Sequence, residues 1–301
     1  MVQSPINYTG GKGKLLDQIL PMFPNDINRF VDLFCGGCNV GLNVKANEVY
    51  YNDYNKQVIN LFKTLKKIKK DNILDSIFEI IDEYNLSLVS KYGYEYYNCN
   101  SSEGVGKYNR DKFNRLRLDY NEIKKNNNAY ILLYVLIVYA FNNQIRFNSK
   151  GEYNLPVGKR DFNVKMQNKL VSFVERVNEQ NCTFTSRDFR LYDISNLNKN
   201  DFVYIDPPYL ITCATYNELG GWTDRDEKAL LEFLDNLDNK KIKFALSNVL
   251  ETKGNKNHTL INWLNERKKM KVNHLNYSYS NCNYHTKNKN SICDEVLITN
   301  Y

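Results

Sequence analysis

Residues 202–205 read Phe-Val-Tyr-Ile, a short apolar run that passes without a spacer into Asp206-Pro207-Pro208-Tyr209. Two successive prolines remove two backbone donors and fix φ, so an extended strand must stop there and the chain leaves it stiffly held. In open α/β sheets, ligands gather at the C-terminal ends of strands. An acid acceptor (Asp206), a rigid carbonyl (Pro207) and an aromatic plate (Tyr209) are thereby collected at one point, with Pro208 fixing the path between them. That set suits a planar group bearing an amine: two acceptors for its N–H bonds and a ring for its face. A proline-capped strand end with a packed tyrosine is the plainer alternative.

The N-terminal segment supports the same fold class. Residues 14–23 place Leu15, Leu16, Ile19, Leu20 and Phe23 at helical spacing. Residues 30–34 form a second apolar run that ends at Gly36-Gly37, which predicts a buried strand and a tight turn. A further helix and a strand over 48–52 are expected next, with Asp53 just beyond. Helix, strand, glycine turn, helix and strand in this order predict a parallel α/β sheet. Glycines after the first strand let the backbone approach a ligand, and an acid about 20 residues on suits a ribose hydroxyl pair. The full phosphate fingerprint of dinucleotide sites is absent. Tyr8-Thr9-Gly10-Gly11-Lys12 lacks the spacing of a phosphate-binding loop; it is either a turn presenting Tyr8 and Lys12 to a small ligand or a plain helix lead-in.

Between 56 and about 170 the pattern becomes mainly helical, with periodic stretches at 58–65, 73–84, 112–123 and 129–141. Phe147 and Tyr153 flank a Ser-Lys-Gly turn, which predicts a β-hairpin. Strand patterns return at 181–185, 201–205, 243–247 and 295–299. Thr223, with Asp226 three residues on, is the expected N-cap of a helix running to about 239.

Charge separates these regions. The 301-residue chain carries a net +7, and lysine outnumbers arginine 30 to 11. Residues 56–170 hold 20 Lys and Arg against 12 Asp and Glu, net +8, whereas the remainder holds 21 against 22, net −1. A codon bias toward lysine acts on the whole chain and cannot alone produce that contrast. The basic region points to nucleic acid, with a solvated helical face around 63–70 as the alternative there. The longest apolar run, 129–141, is shorter than the roughly 20 residues of a membrane span, so no membrane partner is expected. No secretory signal is evident at the N-terminus, and seven cysteines at irregular spacing fit a reducing cytoplasm better than a disulfide framework. Cys35 and Cys38 spell C-x-x-C, but Cys99, Cys182, Cys213, Cys282 and Cys293 supply no second pair and His258, His274 and His285 are not at ligand spacing, so no metal is expected.

Taken together, the Gly-Gly-Lys segment, the glycine turn, the insertion and the Asp-Pro-Pro-Tyr strand end resemble, in order, the Dam-family, D12-class adenine-specific DNA methyltransferases; Glu295-Val296-Leu297-Ile298-Thr299-Asn300 resembles the closing strand of that family. The resemblance covers most of the chain. It implies an α/β, Rossmann-like S-adenosylmethionine-dependent methyltransferase core over 1–55 and 171–301, with 56–170 as an inserted, mainly helical target-recognition domain carrying the hairpin. It implies that Tyr8, Lys12, Phe34, Gly36, Asp53, Asp188, Phe189 and Asp206 contact S-adenosylmethionine, and that Asp206, Pro207, Pro208 and Tyr209 form the catalytic set. The segment from Phe141 to Pro156 resembles the DNA-reading hairpin, with Asn142, Gln144, Arg146, Asn148 and Pro156 expected at the DNA. The fork of Arg146 suits guanine in the major groove, and Lys150, Lys159 and Arg160 suit phosphates. Double-stranded DNA is the expected partner, with a cognate restriction endonuclease where the family serves restriction-modification. The target adenine must leave the duplex to reach such a pocket, and residues 210–221 are expected as a lid.

Some positions depart from the family pattern. Cys38 stands where glycine is usual, Tyr8 where tryptophan is frequent, and Asn7 where lysine is common. Gln144 replaces a leucine that often helps to read the target, so GATC, the commonest family target, is only the first expectation. An RNA adenine methyltransferase, a nicotinamide-dependent oxidoreductase and a non-enzymatic DNA-binding module stand as alternatives.

Overall fold

A computed structural model of the chain describes residues 1–124, 129–212, 221–276 and 293–301. In chain order its elements are α1 (Leu16–Ile19), β1 (Arg29–Asp32), β2 (Glu48–Asn52), α2 (Lys56–Lys67), α3 (Lys70–Glu83), α4 (Val89–Tyr92), α5 (Gly106–Ile123), α6 (Ala129–Tyr139), α7 (Val164–Glu179), β3 (Cys182–Thr185), β4 (Phe202–Ile205), α8 (Asp224–Asn239), β5 (Lys243–Thr252), β6 (Asn255–Lys256), α9 (His258–Glu266), β7 (Lys271–His274) and β8 (Cys293–Thr299). The chain is α/β, as expected. It divides into two units: Met1–Gly11, Gly36–Leu42 and Asn55–Phe184 in one, Lys12–Cys35, Asn43–Tyr54 and Thr185–Tyr301 in the other.

The second unit is built on a sheet with the order β2-β1-β4-β5-β8-β7, and β6 pairs with β5. The β1–β2, β1–β4 and β4–β5 pairs are parallel, and β8 runs antiparallel to both β5 and β7. The short strands β1 and β4 are buried on both faces, as parallel strands usually are. Their side chains alternate with the pleat. Val31, Leu33, Val203 and Ile205 join Leu230, Leu234 and Leu237 of α8 and Leu260 and Trp263 of α9 in one core. Phe30, Phe202 and Tyr204 instead meet Phe23, with ring centroids 5.9, 4.8 and 5.6 Å away. Successive strands leave β1 in opposite directions, β2 to one side and β4 to the other. The C-terminal ends of β1 and β4 therefore border the crevice in which α/β sheets bind ligands.

Helix α8 begins as expected. The Thr223 side chain accepts from the Asp226 N–H, and the Asp226 side chain accepts from Thr223, a complete capping box. Two other expectations are corrected. The helical spacing of 14–23 yields only α1, flanked by 3-10 turns at Lys12–Lys14 and Leu20–Met22. Pro21 has no N–H to extend an α-helix, and the chain turns extended at Phe23. The helix expected between the glycine turn and β2 is replaced by a run of turns, in which Cys38 has φ +64°.

The first unit is mainly helical. Helix α6 is apolar on every side, which requires a partner on every side, and it packs against α2, α3 and α5. Beyond α6 the chain forms the expected hairpin, bridged between Phe147 and Tyr153. Asn121 on α5 anchors it, donating to the Tyr153 carbonyl at 3.2 Å and accepting from the Tyr153 N–H at 2.8 Å. Among the described residues, no helix is long and apolar enough to cross a membrane.

Candidate active site

Strand β4 delivers Asp206 to the crevice, and the two prolines that follow leave Pro207 buried and Pro208 half-buried. The Asp206 Oδ1 lies 2.8 Å from the Lys12 Nζ. The Tyr209 hydroxyl is 3.1 Å from the same oxygen and 3.2 Å from Oε1 of Glu295. The Lys12 ammonium also lies 3.7 Å from Glu295 Oε1 and 4.9 Å from the centre of the Tyr209 ring. Lys12, Tyr209 and Glu295 are buried and Asp206 nearly so. Two carboxylates, one ammonium and one phenol thus share a space largely shut from water, where charged groups need partners. Burial pushes the Asp206 carboxyl above the usual aspartate value; the Lys12 ammonium draws it down, and the Glu295 carboxylate pushes it further up.

Sequence reasoning singled out Lys12, Asp206 and Tyr209, which the fold brings together across nearly 200 residues of chain. It did not assign Glu295. The signal available was the acidic pair Asp294-Glu295 at the head of the apolar run of the closing strand, where side chains alternate between faces and one carboxylate must point inward.

A second cluster forms at the ends of β1 and β2. Phe34 and Phe189 lie 5.4 Å apart, and Trp222 completes the group at 5.8 Å from Phe34 and 5.7 Å from Phe189. The Trp222 indole is held by a 2.7 Å bond to Glu227, which Asn248 and Asn257 also bind. Trp222 was not foreseen, because its spacing relates it only to the following helix. Asp53 follows β2 and is buried. The Asn52 side chain ties this region together, donating to the Leu33 and Arg187 carbonyls and accepting from the Thr185 hydroxyl. The Asp188 side chain accepts from the Arg190 N–H and pairs with its guanidinium at 2.9 Å.

In the first unit the Tyr8 ring covers Gly36. A Cβ on Gly36, at φ +45°, would meet that ring at 2.7 Å, so only glycine fits. The reading-segment residues belong to this unit too. Arg146 is braced by Asn154, with Nε 2.8 Å from Oδ1 and Nη2 3.2 Å from the backbone carbonyl. Asn148 closes the hairpin turn, accepting from the N–H groups of Lys150 and Glu152, and the Gln144 carbonyl accepts from the Tyr153 hydroxyl. Asn142, with φ +54°, Lys150, Pro156, Lys159 and Arg160 are exposed. Arg160 also donates to the Tyr94 hydroxyl and the Ser101 carbonyl. Of the expected lid at 210–221, residues 213–220 lie outside the described residues, as do Cys213, Cys282 and His285. Among the described residues no group of three or more His, Cys, Asp or Glu could hold a metal ion.

Comparison with known families turns this geometry into a classification. The family model for D12 class N6 adenine-specific DNA methyltransferases matches residues 8–291. The chain belongs to this family. It is 42% identical over its whole length to the type II methyltransferase M.FokI of Planomicrobium okeanokoites and 41% identical to the modification methylase StsI of Streptococcus sanguinis, covering 43% of each. It is 26% identical, over 70% of its length, to a DNA adenine methylase of Serratia marcescens, covering 68% of that protein. The chain thus spans under half the length of M.FokI and StsI. Membership of the D12 class displaces the nicotinamide-dependent alternative.

Proposed function

We propose that this chain is a site-specific DNA methyltransferase that transfers a methyl group from S-adenosylmethionine to the exocyclic amine of an adenine flipped out of duplex DNA. The observation that carries the reading is the convergence of Asp206, Lys12 and Tyr209 at the end of β4 in a member of the D12 class. The residues present fit the cofactor. Phe34 and Trp222, half-buried in the aromatic cluster with Phe189, offer ring surface against which a purine can stack, and Asp53 offers a carboxylate for a ribose diol. When bound, S-adenosylmethionine supplies a methyl group already activated by its positive sulfur.

The rest of the chemistry falls to the chain. The adenine amine is a poor nucleophile because its lone pair is delocalised into the ring. Asp206 and the Pro207 carbonyl accept its two N–H bonds, which favours a tetrahedral nitrogen and frees the lone pair. Tyr209 gives the extruded base a new stacking partner, offsetting part of the few kcal/mol that flipping costs. Orientation and fixed charge, rather than a strong base, provide the acceleration; the nitrogen is positively charged once methylated and then releases one proton, by way of its hydrogen bond to Asp206, to solvent. Residues 56–170 serve as the target-recognition module, in which Arg146 reads a guanine and Lys150, Lys159 and Arg160 meet phosphates. The protein works in the cytoplasm, and relatives named as modification methylases support a place beside a cognate restriction endonuclease.

The test is expression of the chain in a host without adenine methylation, followed by mapping of modified bases. N6-methyladenine confined to one sequence context, with GATC examined first, is the expected result. Genomic DNA without methylated adenine would overturn the proposal.

A further inference from the structure

Glu295 sits on β8, antiparallel to β5 and opposite Val249, next to a register shift. Its carboxylate does not face solvent. It accepts from the Tyr209 hydroxyl at 3.2 Å and lies 3.7 Å from the Lys12 ammonium. Both of these groups also reach Asp206, and both do so at the same oxygen, Oδ1. A phenol has one proton and can donate to only one carboxylate at a time.

From this arrangement we infer that Glu295 is a positioning residue for the methyl-transfer site: it tethers the Tyr209 hydroxyl and shares the Lys12 ammonium, so that neither neutralises Asp206 alone. Two consequences follow. The tether fixes the plane of the Tyr209 ring against the incoming base. The second negative charge keeps electron density on Asp206, whose Oδ2 then meets the adenine amine as a strong acceptor. Without Glu295, Lys12 and Tyr209 would both commit to Asp206 and weaken that acceptor. The opposite push of Glu295 and Lys12 on the Asp206 carboxyl agrees with this division.

The inference rests on the methyltransferase reading above, and its test separates the two. Wild type, Glu295→Gln and Glu295→Asp are compared in single-turnover methyl transfer to duplex DNA across the acid and neutral range, with cofactor and DNA affinity measured in parallel. The Gln variant keeps an acceptor oxygen but loses the charge. Its rate should fall roughly tenfold or more, the scale of one pKa unit of lost interaction. The acid limb of its pH profile should move to lower pH, because Asp206 loses a neighbouring anion. Cofactor and DNA affinities should stay within about twofold, since the Gln amide oxygen keeps the Tyr209 tether. The Asp variant keeps the charge but is one methylene shorter; its acid limb should stay near that of wild type while its rate drops. Active wild type with an unmoved acid limb in the folded Gln variant would overturn the role of Glu295. If the Gln variant does not fold, a wild-type rate in the Asp variant would do so. A wild type that transfers no methyl group would overturn the methyltransferase reading instead.

Discussion

Lys12 carries more of the site than its place in a short N-terminal turn suggests. Its ammonium is the counter-ion of two buried carboxylates, and removing one partner of a buried pair typically costs about 3–5 kcal/mol. Lys12→Met should therefore lower the unfolding free energy by about 3 kcal/mol near neutral pH. The loss should shrink on acidification. Without the lysine, the Asp206 carboxyl rises further above its unfolded value, and a raised carboxyl contributes stability that is full below its unfolded pKa and is lost as pH rises from there through its folded pKa. Denaturant melts of both proteins at neutral and mildly acid pH would check the sign; an equal loss at both would contradict it. Asp206→Ala should abolish methylation while duplex binding, measured by gel shift, stays near wild type. Turnover close to normal would remove Asp206 from the mechanism. Cys38 is a quieter case. It occupies a left-handed position, φ +64°, where glycine is the usual family residue, at a cost of about 1–2 kcal/mol.

On the proposed reading, specificity belongs to an element, the hairpin, rather than to a single residue. Arg146 is held at two points by Asn154, and the hairpin is held to α5 by the paired bonds between Asn121 and Tyr153. Arg146→Ala should relax discrimination at one guanine by about 1–3 kcal/mol, read from methylation rates on single-base variants of the target. Asn121→Ala leaves Arg146 in place but loosens its support. It should blur discrimination at the same position, with helix content unchanged by circular dichroism. A specificity defect spread evenly over all positions would separate Arg146 from base reading.

At the scale of the whole molecule, charge is the organising quantity. A near-neutral remainder carries Asp206, Lys12 and Asp53, and residues 56–170 carry net +8. Each phosphate neutralised by a basic side chain contributes about 0.9 to the slope of log affinity against log salt. Lys150→Ala, Lys159→Ala and Arg160→Ala should each lower that slope by about one while leaving the preferred sequence unchanged. A variant that alters the preferred sequence at constant slope would belong with base reading instead.

Much of this design is legible in the chain itself, because local chemistry is written in short windows. The Asp206-Pro207-Pro208-Tyr209 stop, the capping box at Thr223 and the hairpin turn each depend on residues within a few positions of one another. Local pattern misled at two places: Pro21 broke the helix that apolar spacing predicted, and a run of turns took the place of a helix before β2. Burial over long sequence separations was beyond its reach. That Lys12 pairs with Asp206, that Glu295 on the closing strand enters the same cluster, and that Trp222 completes an aromatic group with Phe34 and Phe189 were decided by the tertiary structure. The register of a mixed sheet chooses which distant side chains meet in a space without water, and in such a space each charge depends on partners that no local pattern names.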